Sequence, residues 1–370
     1  MFVRSTKNGK NRLIDCQICN ISKNISLYRK KNVFLQGNLY IMQIRKWIYA
    51  LCLLTAFHTA VGQDIHFSQA DLNPLFVNPA FTGFFEGRAR FSAIYRNQWA
   101  TVSNPYQTLA ATAEWGFFRN RYNSSGLNIG AMVSADKAGS LGYGIAQADI
   151  TLSFFKALSY NNENFISAGV TAGYGQRGFD PTNAEMTDPD EVFDQTSQTY
   201  YDLGAGLMWS DQFTDDFGMQ LGIAAYHLNR PNISYLKLDS TYLEPKFNFY
   251  LNFNIRTSPT LTLQPTVILQ FQQQYSEYLY GLKAKYNISN RTYFKNNLFA
   301  GVFFRQLDAI VITAGLEYDN WVFGAGYDVN ISDLKPASHT VGAVEIGLVY
   351  LIKEKKRVKK VKSIPCPTFT

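Results

Sequence analysis

The sequence predicts an all-β chain: a transmembrane antiparallel β-barrel of about 14 strands behind an extended amino-terminal segment. Three observations carry that expectation. Apolar residues recur with period two, the mark of strands with one apolar face. Between Phe247 and Ile255 the odd positions are Phe247, Phe249, Leu251, Phe253 and Ile255, against Asn248, Tyr250, Asn252 and Asn254. The composition, with 28 Phe, 23 Tyr and 26 Gly in 370 residues, favours strands and tight turns over helices. After residue 63 no run of 18 consecutive apolar residues occurs, so no membrane-spanning helix is predicted.

The chain opens with a leader. From Met42 it reads Gln43-Ile44-Arg45-Lys46, then an apolar run from Trp47 to Phe57, then Ala60-Val61-Gly62 before Gln63. A positive start, a short apolar core and small residues before a cleavage point make a secretory signal, and the run is too short to span a bilayer. Cleavage is expected after Gly62. Cys52 does not mark a lipoprotein signal, because Leu51 stands where a small residue belongs. Residues 42–62 are therefore the signal peptide, and residues 1–41 an upstream extension from a wrongly chosen start codon, with a genuine long leader as the alternative.

Charge follows the same division. The formal +7 invites a nucleic-acid partner, but residues 1–62 carry ten Lys/Arg and one acid, and residues 353–362 carry seven and one. Gln63 to Ile352 holds 18 basic and 26 acidic residues, a net −8. That sign repels a phosphate backbone, so nucleic acid is excluded as a partner of the body. The four cysteines, at 16, 19, 52 and 366, lie outside this region; Cys16 and Cys19 form a lone C-x-x-C without the second pair or histidines that zinc needs.

Residues 63–87 form the expected amino-terminal segment, 88–352 the barrel and 353–370 a basic tail. Alternating segments fall near 88–97, 106–118, 126–134, 143–157, 164–175, 200–210, 216–226, 245–257, 260–272, 277–287, 293–306, 309–318, 320–330 and 340–352, each about long enough to cross a bilayer when tilted. If the chain enters from the periplasm, the two longest connections, about 176–199 and 227–244, face outward, while Ser258-Pro259 and Asp319-Asn320 are short inner turns. Long outer loops, short inner turns and an even strand number agree with bacterial barrels. A soluble β-sandwich also alternates, but its core would not hold charge at Glu114, Lys283, Lys285, Glu317 and Glu345, whereas a hydrogen-bonded lumen does. Tyr95, Trp99, Trp115, Phe117, Tyr200, Tyr201, Trp209, Trp321 and Tyr350 are expected in two interfacial girdles.

Catalytic chemistry is not expected. Gly173-Tyr174-Gly175-Gln176-Arg177-Gly178 matches G-x-G-x-x-G, but Phe179-Asp180-Pro181 follows where a dinucleotide site needs a helix amino terminus. The histidines at 58, 66, 227 and 339 are scattered, and neither G-x-S-x-G nor H-E-x-x-H occurs. The reading is of a non-enzyme with no cofactor and no metal site. The 176–199 connection carries Asp180, Glu185, Asp188, Asp190, Glu191 and Asp194 against Arg177, and reads as a solvated loop or as a surface for divalent cations or a basic partner. The tail, with Lys355, Lys356, Arg357, Lys359 and Lys360, should lie in the periplasm and reads equally as a docking site or a solubilising end.

Phe67-Ser68-Gln69, then Asn73-Pro74-Leu75-Phe76-Val77-Asn78-Pro79-Ala80-Phe81-Thr82-Gly83, resembles the opening of the PorP/SprF family of type IX secretion outer-membrane proteins. Ala93-Ile94-Tyr95-Arg96-Asn97-Gln98-Trp99 looks like that family's first strand, and the terminal Pro365-Cys366-Pro367 extends the match. Residues 1–41 depart from the pattern. The resemblance implies a cell outer-membrane protein that supports type IX secretion, with gliding motility as the associated process. It implies secreted cargo or adhesins, a periplasmic peptidoglycan-binding protein and outer-membrane lipid as partners. A general porin or a hydrophobic-substrate channel is the alternative. Two Asn-Pro pairs stiffen the segment, since each Pro fixes its φ and keeps its predecessor from the helical region. The segment would line the rim, plug the lumen, or simply lead into the first strand. Asn73, Pro74, Asn78 and Pro79, with the tail residues Lys355, Lys356, Arg357, Lys359 and Lys360, are the expected partner-binding positions.

Overall fold

The computed structural model describes residues 64–353 except 101–104, 121–124, 140, 160–162, 181, 183–194, 236–240, 289–295, 334–337 and 339. The leader, most of the acidic connection and the basic tail lie outside the described residues. Fourteen strands are arranged in chain order: β1 (Ala89–Gln98), β2 (Tyr106–Asn120), β3 (Ser125–Ala138), β4 (Tyr143–Ala157), β5 (Asn164–Gly178), β6 (Ser197–Thr214) and β7 (Phe217–Tyr226). They continue as β8 (Lys246–Arg256), β9 (Leu261–Gln272), β10 (Tyr275–Asn287), β11 (Asn297–Arg305), β12 (Ala309–Tyr318), β13 (Trp321–Asn330) and β14 (Val341–Ile352). Every strand pairs antiparallel with its chain neighbours, and β1 closes on β14 from Ala89↔Ile352 to Gln98↔Ala343. The result is a closed 14-stranded barrel with no free edge, the arrangement that lets strands cross a bilayer with their backbone groups satisfied.

The alternation decides which face is which. Outward positions carry Leu109, Val133, Ile150, Val170, Leu207, Ile223, Phe247, Val302, Ile312 and Ile346, all exposed. Inward positions carry Thr112, Glu114, Asn128, Ser153, Asp202, Asn248, Arg305 and Glu345, all buried. This is inverted relative to a water-soluble sheet and suits a lipid-facing wall. The connections after β5 and β7 leave from one end, termed the outer end; β1 starts and β14 stops at the opposite, inner end. Tyr95, Trp115, Phe117, Tyr201 and Trp321 stand outward, as a girdle requires, and Trp321 packs on Tyr350 with ring centroids 4.4 Å apart. Tyr200 departs from the expectation: it is buried in the lumen with its hydroxyl donating to Gln147 Oε1 at 3.0 Å, because its neighbour Tyr201 takes the outward face and adjacent strand residues point oppositely. β6 is longer than the alternation from 200 to 210 suggested, since its outer end continues to pair with β5 as far as Gly178↔Ser197. Gly173 to Gly178 are strand throughout.

Candidate functional site

The lumen is occupied by the chain's own amino-terminal segment. Asp64 stands at the outer end, where its Oδ2 meets His227 Nε2 at 3.3 Å, just past β7, and Lys246 Nζ at 3.2 Å, the first residue of β8. Arg88 stands at the opposite end, its N–H donating to the Ile352 carbonyl at 2.7 Å. Residues 64–87 thus run the height of the barrel before turning into β1.

An irregular segment inside a barrel must find partners for every peptide group. Here the inward side chains of the wall supply them. The carbonyl of Leu75 accepts from Tyr226 Oη at 2.6 Å, that of Val77 from Asn248 Nδ2 at 2.8 Å, that of Ala80 from Ser167 Oγ at 2.8 Å and that of Thr82 from Ser153 Oγ at 2.6 Å. The Gly83 N–H donates to Glu114 Oε2 at 2.8 Å. Apolar residues fill what remains: Val77, Ala80 and Phe81 pack with Met208, Ile268, Leu279, Phe303 and Val311 of the wall.

The two Asn-Pro steps do not lie extended. Each Pro opens a short 3-10 turn, Pro74–Phe76 and Pro79–Phe81, because the first position of a turn needs no N–H and a fixed φ suits it. Asn78 itself is extended at φ −159°, and its Oδ1 accepts the Ala80 N–H at 2.8 Å. Its Nδ2 donates to the carbonyls of Leu207 (2.9 Å) and Ile223 (3.1 Å), on β6 and β7. Such an approach requires wall positions without side chains. A Cβ on Gly206 would run into Asn78, and one on Gly169 into the backbone of Pro79. Of the expected binding positions, Asn73, Asn78 and Pro79 are buried in the lumen, and Pro74 is half-buried. Ser92 Oγ donates to Asn73 Oδ1 at 3.2 Å. Lys355, Lys356, Arg357, Lys359 and Lys360 lie outside the described residues.

Nearer the outer mouth the Phe67-Ser68-Gln69 step is clasped by charge. The Ser68 and Gln69 N–H groups donate to the two oxygens of Glu345 at 2.7 and 3.1 Å, and Arg96 pairs with the same carboxylate. Arg96 and Arg305 share Asp328 at 3.0 and 2.9 Å, and Ser68 Oγ donates to Asp328 Oδ1 at 3.0 Å. All four charged side chains are essentially inaccessible. Buried charges persist only when paired and hydrogen-bonded, so the segment's own amides and hydroxyl complete the network. At the mouth, burial pushes the His227 imidazole down, but hydrogen bonds to Asp202 and Asp64 overcome it and raise the group to about 9. Burial likewise pushes Asp64 up, but Lys246 and His227 prevail and hold it below the usual carboxylate range. Among the described residues, no three His, Cys, Asp or Glu gather where they could hold a metal ion.

The sequence reading located the segment and the inward charges but not their union. Glu345, Glu114 and Lys283 were legible as lumenal; that Glu345 receives Ser68 and Gln69, that Glu114 holds Gly83 and that Lys283 reaches Asp71 at 2.5 Å depends on barrel closure. Gly169 and Gly206 carried no signal beyond alternation.

The family described as type IX secretion system membrane protein PorP/SprF matches residues 60–350. No curated protein matches the chain. Among solved structures, the toluene transporter TbuX of Ralstonia pickettii is 13% identical over 79% of this chain and 94% of that one, with a TM-score of 0.45. The toluene transporter TodX of Pseudomonas putida is 10% identical over 77% and 93%, with a TM-score of 0.45. The KdgM porin is 9% identical over 70% and 98%, with a TM-score of 0.33.

Proposed function

The chain belongs to the PorP/SprF family of type IX secretion system membrane proteins and is an outer-membrane barrel; from that premise we propose that it acts as an adaptor, not a conduit, supporting secretion or surface attachment of cargo such as gliding adhesins. The observation that carries this reading is the filled lumen. A segment hydrogen-bonded to the wall from Asp64 to Gly83 leaves a cavity of about 210 Å³ between Val77 and Phe81 of the segment and Tyr250, Ile268 and Phe303 of the wall. That volume is roughly seven waters at ~30 Å³ each, too small for a polypeptide in transit. Cargo is therefore engaged at the outer loops, and the basic tail after Ile352 reaches a peptidoglycan-binding protein in the periplasm.

The same path supports removal of the leader. With Asp64 at the outer mouth, a leader anchored in the inner membrane would have to double back through a lumen already filled. Cleavage after Gly62 removes that constraint.

Affinity purification of the tagged protein from outer membranes, full-length against a version truncated after Ile352, tests the reading. Co-purification of a peptidoglycan-binding protein and a large secreted adhesin, the former lost on truncation, is the expected result. Recovery of the barrel alone, together with steady conductance in planar bilayers, would move the assignment to a porin or hydrophobic-substrate channel.

A further inference from the structure

The strands of the closed ring end at different heights. β5 and β6 stay paired out to Gly178↔Ser197, and β4 keeps pace with them to Gly144↔Gly178. β7 stops at Tyr226, and its outermost pair with β6 is Ala205↔Ala225. Residues 197–204 of β6 therefore stand above β7, with one side of their backbone not covered by a strand. Tyr201 relates this step to the bilayer. Its exposed ring lies against Tyr174 with centroids 5.6 Å apart, in the position of an interfacial girdle, so Ser197 to Thr199 rise beyond it into water.

The chain that follows β7 covers only the lower part of this edge. The Leu228 N–H donates to the Leu203 carbonyl at 2.9 Å. Asn229 then sets its carboxamide where the next peptide group of a strand would be: the Leu203 N–H donates to Asn229 Oδ1 at 3.1 Å, and Asn229 Nδ2 donates to the Tyr201 carbonyl at 2.7 Å. His227 and Arg230, with left-handed φ of +56° and +45°, turn the chain out of the ladder. These bonds fix the phase, because backbone groups of successive strand residues point to opposite sides: the odd residues of β6 aim theirs at this edge. The N–H groups of Tyr201 and Thr199 and both backbone groups of Ser197 have no partner among the described residues, and the Thr199 carbonyl meets only the Gln198 side chain, at 3.3 Å. All three residues are exposed.

Such an edge is a template for another strand. Exposed Tyr201, Leu203 and Leu228 beside it offer contact to that strand's side chains. The connection that ends at Ser197 carries Asp180, Glu185, Asp188, Asp190, Glu191 and Asp194 against Arg177, which favours a cationic partner. Two copies of this chain meeting here would bring two such connections together, and like charge opposes that.

We propose that the outer edge of β6, Ser197 to Tyr201, is a docking site for an extended, basic segment of a partner polypeptide, which joins the sheet as an added strand. The proposal rests on the adaptor reading for its orientation: that reading turns this end to the cell exterior and makes the segment part of the cargo.

Residue-resolved hydrogen exchange on the full chain in nanodiscs tests it with synthetic probes: a short peptide of alternating Lys and Thr, and the same peptide N-methylated throughout, which keeps the charge but cannot pair. The Thr199 and Tyr201 N–H groups should exchange freely in the protein alone and slow by about ten-fold with the first peptide at about ten times its dissociation constant. The N-methylated peptide, and one of alternating Glu and Thr, should leave them unchanged. Thr199→Pro, tolerated on an edge whose N–H faces solvent, should weaken binding by about five-fold or more, the worth of one hydrogen bond, and Thr199→Val should bind as the parent does. Heat-modifiable gel mobility reports whether each variant is a folded barrel, and the N-methylated peptide decides alone if Thr199→Pro does not fold. Amides of Thr199 and Tyr201 already protected without peptide, equal binding of the N-methylated peptide, or a dimer of the protein that Thr199→Pro dissolves would each overturn the proposal. An adhesin that co-purifies with Thr199→Pro as with the parent would also overturn it and leave the adaptor reading standing; peptide binding with no adhesin recovered would keep the docking site and remove the adaptor reading.

Discussion

Replacing Asn78 by alanine should loosen the lumenal segment without disturbing the barrel. The side chain makes three hydrogen bonds: one to the Ala80 N–H at 2.8 Å and two, at 2.9 and 3.1 Å, to the carbonyls of Leu207 and Ile223. Only the last two tie the segment to the wall, and the two strand carbonyls keep a second lone pair for the ladder. At about 1 kcal/mol net for each of these two bonds, the loss is about 2 kcal/mol, a factor of ~30 in the ratio of undocked to docked segment. Hydrogen exchange on protein in nanodiscs reads this directly. The N–H groups of Val77, Asn78, Phe81 and Thr82 are held by turn bonds to Pro74, Asn78 and Pro79 that exist only while the turns persist. In Asn78→Ala their exchange should accelerate by ~30-fold, and β6 and β7 should be unchanged. Acceleration confined to Ala80, which merely loses its cap, would refute the idea that Asn78 fastens the segment to the wall.

Gly206→Leu places a side chain where Asn78 now lies; overpacking of about 1–3 kcal/mol should displace the segment and produce bilayer conductance above that of the parent. Glu345→Gln leaves Arg96 with a weaker partner and the Ser68 and Gln69 amides with a neutral acceptor; a loss of about 3–5 kcal/mol should lower the thermal midpoint of segment release measured by tryptophan-independent exchange. The Asp64–His227 clasp should depend on pH. His227 is raised to about 9 by hydrogen bonds to Asp202 of the wall and then to Asp64 of the segment, so the share that Asp64 supplies stabilises docking while the imidazole is protonated and is lost as pH rises through about 9. Asp64 is lowered from 3.8, so its own contribution is lost only on acidification below 3.8. Protection factors at Ile65 to Phe67, with the intrinsic base-catalysed rise in exchange divided out, should therefore fall as pH rises through about 9 in the parent, and a flat profile there would remove His227 from the clasp; in His227→Gln the fall should be absent.

How much of this was legible depends on the distance over which each feature is decided. Strand rhythm is a local property: Phe247 to Ile255 state their two faces within nine residues, and the outward and inward faces fall where alternation put them. Tyr200 and Tyr201 show the limit of that logic, since both are aromatic and only the phase of β6 selects the outward one. The Asn-Pro steps were visible as stiff elements, but stiffness has no address. Their turns, and their place in the lumen, follow from acceptors on strands more than a hundred residues away: Leu207 and Ile223 for Asn78, Glu345 for Ser68 and Gln69.

The sequence by itself determined a lipid-facing barrel, because burial of one apolar face per strand is written in period two and a polar inner face is its complement. The tertiary structure decided that the lumen is filled by residues 64–87. That depends on which strands become neighbours when β1 meets β14, and pairing of that kind leaves no mark on any short stretch of chain.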